Sequence, residues 1–136
     1  MARSASGQPT DGELEILQVL WEAGPADLGA VCAALRRRRP VATTTVATML
    51  KVMLDKKLVK RARGERGYLW SARVSRRRAA TGLVRRLLDR LFHGSAGRLV
   101  AHLLEDGELT DHDRDEIRRL LESDRPDQPP PAEAEP

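Results

Sequence analysis

The stretch VATTTVATMLKVML, residues 41 to 54, constrains this chain more than any other. Val46, Met49, Leu50, Met53 and Leu54 recur at helical spacing and make one apolar face. Thr44, Ala47, Thr48, Lys51 and Asp55 fall on the other face, which is small, uncrowded and able to hydrogen-bond. A buried core helix has no use for such a face, and a merely solvated one would carry more charge. A helix lying in the major groove of double-stranded DNA needs this profile: short side chains for close approach, hydroxyls for phosphates or base edges, and a lysine for charge. A second basic segment, LVKRARGERGYLWS, follows at residues 58 to 71 and reads as two short strands around a Gly- and Arg-containing turn. The expected fold is mainly α with a small β-hairpin. It is a winged helix-turn-helix domain followed by a C-terminal helical dimerisation region.

Charge divides along the chain. Residues 1 to 104 hold 20 Lys and Arg against 8 Asp and Glu, a net of +12, whereas residues 105 to 136 hold 4 against 12, a net of −8. The basic part is where a polyanion binds, and the acidic end stays off it. Cys32 is the only cysteine, which excludes an internal disulfide and a cysteine-rich metal site. It shares a helical face with Leu28, Val31 and Leu35, so it reads as a buried thiol, with a redox sensor as the sharper alternative. No apolar run approaches a membrane span, and Met1 to Pro9 lacks the apolar core of a signal peptide. A cytoplasmic location is expected.

Four segments follow from periodicity and turn chemistry: a disordered N-terminus at 1–9, a winged-helix DNA-binding domain at 10–73, a helical dimerisation region at 74–122, and a disordered, acidic, Pro-rich tail at 123–136. Thr10-Asp11-Gly12-Glu13 has the pattern of a capping box, and Gly24-Pro25 ends the first helix. Asp27 falls in the first turn of a second helix running to about Leu35. Arg36, Arg37, Arg38 and Arg39 then lead to the third helix, for which Thr43 is the expected N-cap. Four adjacent arginines repel one another unless an anion is near, so phosphate contact is preferred over a solvated turn.

Beyond residue 74, three apolar stripes are separated by glycine breaks. Leu83, Val84, Leu87, Leu88, Leu91 and Phe92 lie on a long helix; Leu99, Val100, Leu103 and Leu104 on a short one; Ile117, Leu120 and Leu121 on a last one opened by Thr110. Arg118 and Arg119 are expected near the C-terminus of that helix. Such short stripes do not bury themselves as a stable bundle. The preferred solution is burial against the same helices of a second chain, giving a homodimer; folding back on the winged helix is the alternative.

Enzyme chemistry finds no support. His93, His102 and His112 all lie in the last third of the chain, and no strand-turn-helix nucleophile motif is present. Gly64 and Gly67 suit a hairpin turn better than a phosphate loop. The spacing of His102 and His112 matches no familiar metal-ligand pattern, so neither metal nor cofactor is expected.

The order of elements resembles the penicillinase-repressor (BlaI/MecI) family of transcriptional regulators. The similarity spans residues 10 to about 122. It is carried by Glu13-Leu14-Glu15-Ile16 through Leu20-Trp21, by Thr44-Thr45-Val46-Ala47-Thr48-Met49-Leu50, by Leu54-Asp55-Lys56-Lys57-Leu58-Val59, by Tyr68-Leu69-Trp70, and by Leu99-Val100 to Glu105 followed by Glu108-Leu109-Thr110. The resemblance implies a homodimeric repressor whose winged helix binds half of an inverted-repeat operator, released by a stress- or antibiotic-linked signal. It implies Thr44, Ala47, Thr48 and Lys51 near bases and Thr43 and Thr45 near phosphates. The wing, with Arg61, Arg63 and Arg66, would lie along the DNA backbone. Tyr68 and Trp70 would be mainly structural. The family is commonly derepressed when a membrane-bound sensor protease leads to cleavage in the first short helix of the dimer region, at an Asn–Phe bond in its best-known members. Here the matching positions are His102 and Leu103, which counts against that route. Copper-responsive relatives carry a C-terminal cysteine motif that this chain lacks.

Two other readings remain on sequence grounds. One is a winged-helix module that binds a protein. Against it stands the Thr44-Thr48-Lys51 face, since protein hot spots favour Trp, Tyr and Arg. The other is a repressor responding to a small ligand held in a pocket between the domains, against which the scarcity of aromatics and the absence of convergent polar groups weigh.

Overall fold

The structure is a computed structural model and describes residues 8–124. Helix α1, Asp11–Ala23, opens with the expected capping box. Thr10 Oγ1 accepts from the Glu13 amide at 3.2 Å and Glu13 Oε1 accepts from the Thr10 amide at 3.0 Å. Two amides without helical partners are thereby satisfied. Gly24, at φ 82°, ends the helix in a conformation that only glycine adopts without strain. Helix α2 is Leu28–Arg36. Asp27 is its N-cap rather than a first-turn residue, with Oδ1 accepting from the Ala30 amide at 2.8 Å.

Helix α3 is Thr43–Asp55, and its N-cap is Ala42, not Thr43. The expectation of a threonine cap fails because the Thr43 hydroxyl is engaged elsewhere: it accepts from an Arg36 guanidinium nitrogen at 2.7 Å. No side chain caps the helix. Strands β1, Val59–Gly64, and β2, Gly67–Ala72, pair antiparallel with Arg61 opposite Trp70 and Arg63 opposite Tyr68. Glu65 and Arg66 form the connection, and Gly67 follows at φ 116°. Trp70 also exchanges two backbone hydrogen bonds with Ala26, at 2.8 and 2.9 Å, which ties the α1–α2 connection to the sheet edge. Ile16, Leu17, Val31, Cys32, Val46, Leu50, Met53, Val59 and Trp70 form one buried core beneath these elements.

Helix α4 is Arg76–Leu91. Its approach is fastened to α1: the Trp21 indole donates to the Val74 carbonyl at 2.9 Å, and the Arg76 guanidinium lies 5.0 Å above the Trp21 ring and donates to Gln18. The chain forms two compact units that divide within α4, after Arg86. In the second unit, His93 (φ 52°) and Gly94 (φ 75°) end α4, and the Gly94 amide donates to the Leu88 carbonyl at 2.8 Å. Helix α5, Ala96–Glu105, is capped by Ser95. Helix α6, Asp111–Ser123, is capped by Thr110 in a second capping box. The hydrogen bonds from Thr110 hold the Asp113 carboxyl below the usual carboxylate range. Arg118 and Arg119 lie before the last turn of α6, which carries no basic residue, and so stand farther from its C-terminus than expected. Arg118 instead pairs with Asp115 one turn earlier, at 3.1 Å.

Most of the termini expected to be disordered, residues 1–9 and 123–136, lies outside the described residues. Of those that are described, Pro9 is buried and Ser123 closes α6. Among the described residues, no helix is long and apolar enough to cross a membrane.

Candidate nucleic-acid interface

Helix α3 is anchored on one side and bare on the other. Val46, Leu50 and Met53 are fully buried, while Met49 and Leu54 pack half-buried against the same core. Thr44, Thr45, Thr48 and Lys51 are exposed, and Ala47 is half-buried. Thr43 is exposed too, although its hydroxyl already accepts from Arg36. Burial thus sets the roll of the helix, and the roll decides which side chains face outward.

A second anchor was not legible locally. Lys56, the C-cap of α3, places its ammonium 2.7 Å from Glu13 Oε1, and Glu13 is only 5% exposed. Glu13 therefore serves two helices: it closes the capping box of α1 and neutralises the end of α3. The residues lie 43 positions apart, so no local motif announces the pair.

The four arginines after α2 are not equivalent. Arg36 fastens the α2–α3 turn, its Nε donating to the Val41 carbonyl at 3.0 Å. Arg39 pairs with Glu15 of α1, and that hydrogen bond holds the Glu15 carboxyl below its ordinary range. Arg37 and Arg38 are exposed and form no ion pair among the described residues. Replacing Glu15 by Gln releases Arg39. The expected outcome is severalfold tighter binding to non-specific DNA, with a salt dependence steeper by about one phosphate contact. An unchanged slope in a salt titration of the variant would exclude Arg39 from the interface.

The wing carries Arg61, Arg63 and Arg66, all exposed. Arg61 and Arg63 do not swing freely. The Arg61 guanidinium sits 4.0 Å above the Tyr68 ring and 5.5 Å from Trp70, and Arg63 sits 5.3 Å from Tyr68. Trp70 is buried and meets Tyr68 edge to face at 6.0 Å, whereas Tyr68 remains partly exposed. Trp70 is structural; Tyr68 shelves the arginines that stack on it.

In the C-terminal helices the apolar side chains divide. Leu88 is buried within its own chain. Leu83, Phe92, Leu99, Leu103 and Ile117 are half-buried. Val84, Leu87, Leu91, Val100, Leu104, Leu120 and Leu121 are exposed, with Leu91 at 68% and Leu121 at 67%. His102 is exposed on α5 and lies 3.4 Å from Asp106; its ring also tilts against Phe92. Among the described residues no group of His, Cys, Asp and Glu is arranged to hold a metal ion.

Three helices followed by an antiparallel hairpin, with a polar, outward face on the third helix, make a winged-helix domain. The penicillinase repressor family matches residues 9–123, and the chain belongs to that family. It is 19% identical to a penicillinase repressor of Staphylococcus aureus over 109 residues, covering 80% of this chain and 86% of the relative. It is 22% identical to a penicillinase repressor of Bacillus licheniformis over 115 residues, covering 85% and 90%. A solved structure of a mutant of Lactococcus lactis ZitR superposes with a TM-score of 0.44 at 18% identity, over 90% of this chain and 77% of that one.

Proposed function

We propose that the protein represses transcription as a homodimer bound to an inverted-repeat operator in double-stranded DNA. Residues 10–73 bind DNA and residues 74–122 hold the two chains together. In this reading α3 enters the major groove with Thr44, Ala47, Thr48 and Lys51 near base edges. Thr43 and Thr45 approach phosphates at the helix start. Arg37 and Arg38 supply sequence-independent affinity, as do the wing residues Arg61, Arg63 and Arg66. The observation that carries the reading is the division of α3 into a fully buried apolar side and an exposed side of hydroxyls and one lysine.

The dimer is supported by the exposed apolar side chains of the last two helices, Val100 and Leu104 on α5 and Leu120 and Leu121 on α6, since apolar residues left exposed together on helices mark an interaction surface. Release by a stress- or antibiotic-linked signal in the cytoplasm accords with family membership. A membrane sensor protease would have to cleave between His102 and Leu103, inside α5, at a bond unlike the Asn–Phe bond of the best-known members.

Selection of bound fragments from genomic DNA tests the reading. The expected product is a two-fold symmetric site with half-sites about one helical turn apart. Enrichment of asymmetric or unrelated fragments would overturn it. Within such a site, Thr48→Ala or Lys51→Ala is expected to cost about 1–3 kcal/mol and to relax preference at one position of each half-site. Wing arginine variants should weaken binding to all sequences alike. Competition binding against a panel of single-base operator variants distinguishes the two patterns.

A further inference from the structure

A cleft of about 260 Å³ opens between α3 and the hairpin. Its apolar side is made by half-buried Leu28 and the edge of Trp70, with fully buried Leu50 behind them. Lys51, Arg61 and Arg66 also line it, and no acidic side chain does. None of the three cations is ion-paired among the described residues. Arg61 is held in place by the Tyr68 ring, 4.0 Å from its guanidinium carbon, and Tyr68 lines the same cleft.

These features do not describe a phosphate seat alone. A phosphodiester needs cations and donors and has no use for an apolar wall. A concave site with an apolar wall and a few convergent charged groups suits a small amphiphilic ligand. The size agrees: an apolar cavity of roughly 150 Å³ takes up benzene, so this cleft has room for one ring and a charged substituent. We propose that the cleft binds a small organic carboxylate built on a single ring, the ring against Leu28 and the exposed edge of Trp70 and the carboxylate toward Lys51, Arg61 and Arg66. Because Lys51 and the wing arginines are assigned to DNA in the function proposed above, and resting on that assignment, occupation of the cleft competes with DNA. The ligand acts as an inducer that releases the operator.

The test begins without DNA. The full-length chain is titrated with benzoate, benzyl alcohol and inorganic phosphate while the amide resonances of residues 47–51 and 68–70 are followed by NMR. Benzoate should saturate at about millimolar concentration, the range open to a ligand of its size. Benzyl alcohol and phosphate should bind at least about fivefold more weakly, since each lacks one half of the match. Lys51→Met should weaken benzoate by a similar factor, and Leu28→Trp, which fills the apolar end, should abolish binding. No saturation by benzoate, shifts centred outside the cleft, or phosphate binding as tightly as benzoate would each overturn the site. A gel shift on the selected operator follows. Release of DNA with the same midpoint as benzoate binding supports competition, and bound benzoate without release overturns that half of the proposal. A chain that binds no DNA overturns the repressor reading, while the titration still decides the site.

Discussion

Replacing Glu13 by Ala is expected to lower the free energy of unfolding by about 3–5 kcal/mol, a large share of the stability of a small domain. The side chain is nearly inaccessible, and the same oxygen accepts from the Lys56 ammonium at 2.7 Å and from the Thr10 amide at 3.0 Å. Removing the carboxylate leaves an ammonium with 11% exposure and no acid beside it. Taking a charge out of water without a partner is the costly half of a buried ion pair. Loss of the capping contribution at α1 adds about 1 kcal/mol. Urea unfolding measures the loss. The double variant Glu13→Gln with Lys56→Met is the control, because Gln keeps an acceptor for Thr10 while Met keeps the lysine volume without charge. It should recover about 2 kcal/mol or more relative to Glu13→Ala. A loss below about 1 kcal/mol in the single variant would mean that the pair is solvated in solution. The effect reaches function as well, since Lys56 ends the helix assigned to the major groove.

How far these features are legible in sequence depends on how local their causes are. The capping box at Thr10, the helix start at Thr110 and the glycine stop at Gly24 are read correctly, because each is decided within a few residues; that Asp113 completes a second capping box at Thr110 emerges only in the structure. The faces of α3 are also legible, since spacing alone determines which residues share the core side. The failures come from distant partners. Thr43 looks like a cap in isolation and loses that role to Arg36, seven residues away. Four arginines look alike in a row, yet two are committed to Val41, Thr43 and Glu15. Glu13 reads as half of a capping box, and its second duty to Lys56 depends on how α1 meets α3. The Ala26–Trp70 bridge and the stacking of Arg61 on Tyr68 are likewise products of folding, not of pattern.

Replacing Leu121 by Asp is expected to convert a dimer to monomers and to lower operator affinity by about 10²–10⁴-fold, the benefit of linking two half-site contacts in one molecule. Leu121 is 67% exposed and Leu120 is 61% exposed on the same helix, with Val100 and Leu104 exposed on α5. A carboxylate at such a position costs the isolated chain little, because its side chain already faces water. In a dimer the same carboxylate would be buried against leucines without a counter-charge, a change that favours separation by several kcal/mol. Leu88→Asp supplies the contrast. Leu88 is buried within a single chain, so its replacement should lower helix content and thermal stability rather than act through dissociation alone. Sedimentation equilibrium reads the association state, circular dichroism reads the fold, and binding to full and half operators separates linkage from contact. Affinity for an isolated half-site should stay at the wild-type value in Leu121→Asp, because the winged helix is untouched. If that variant still sediments as a dimer and holds the full operator as tightly as the wild type, the exposed face of α6 is not where the subunits meet.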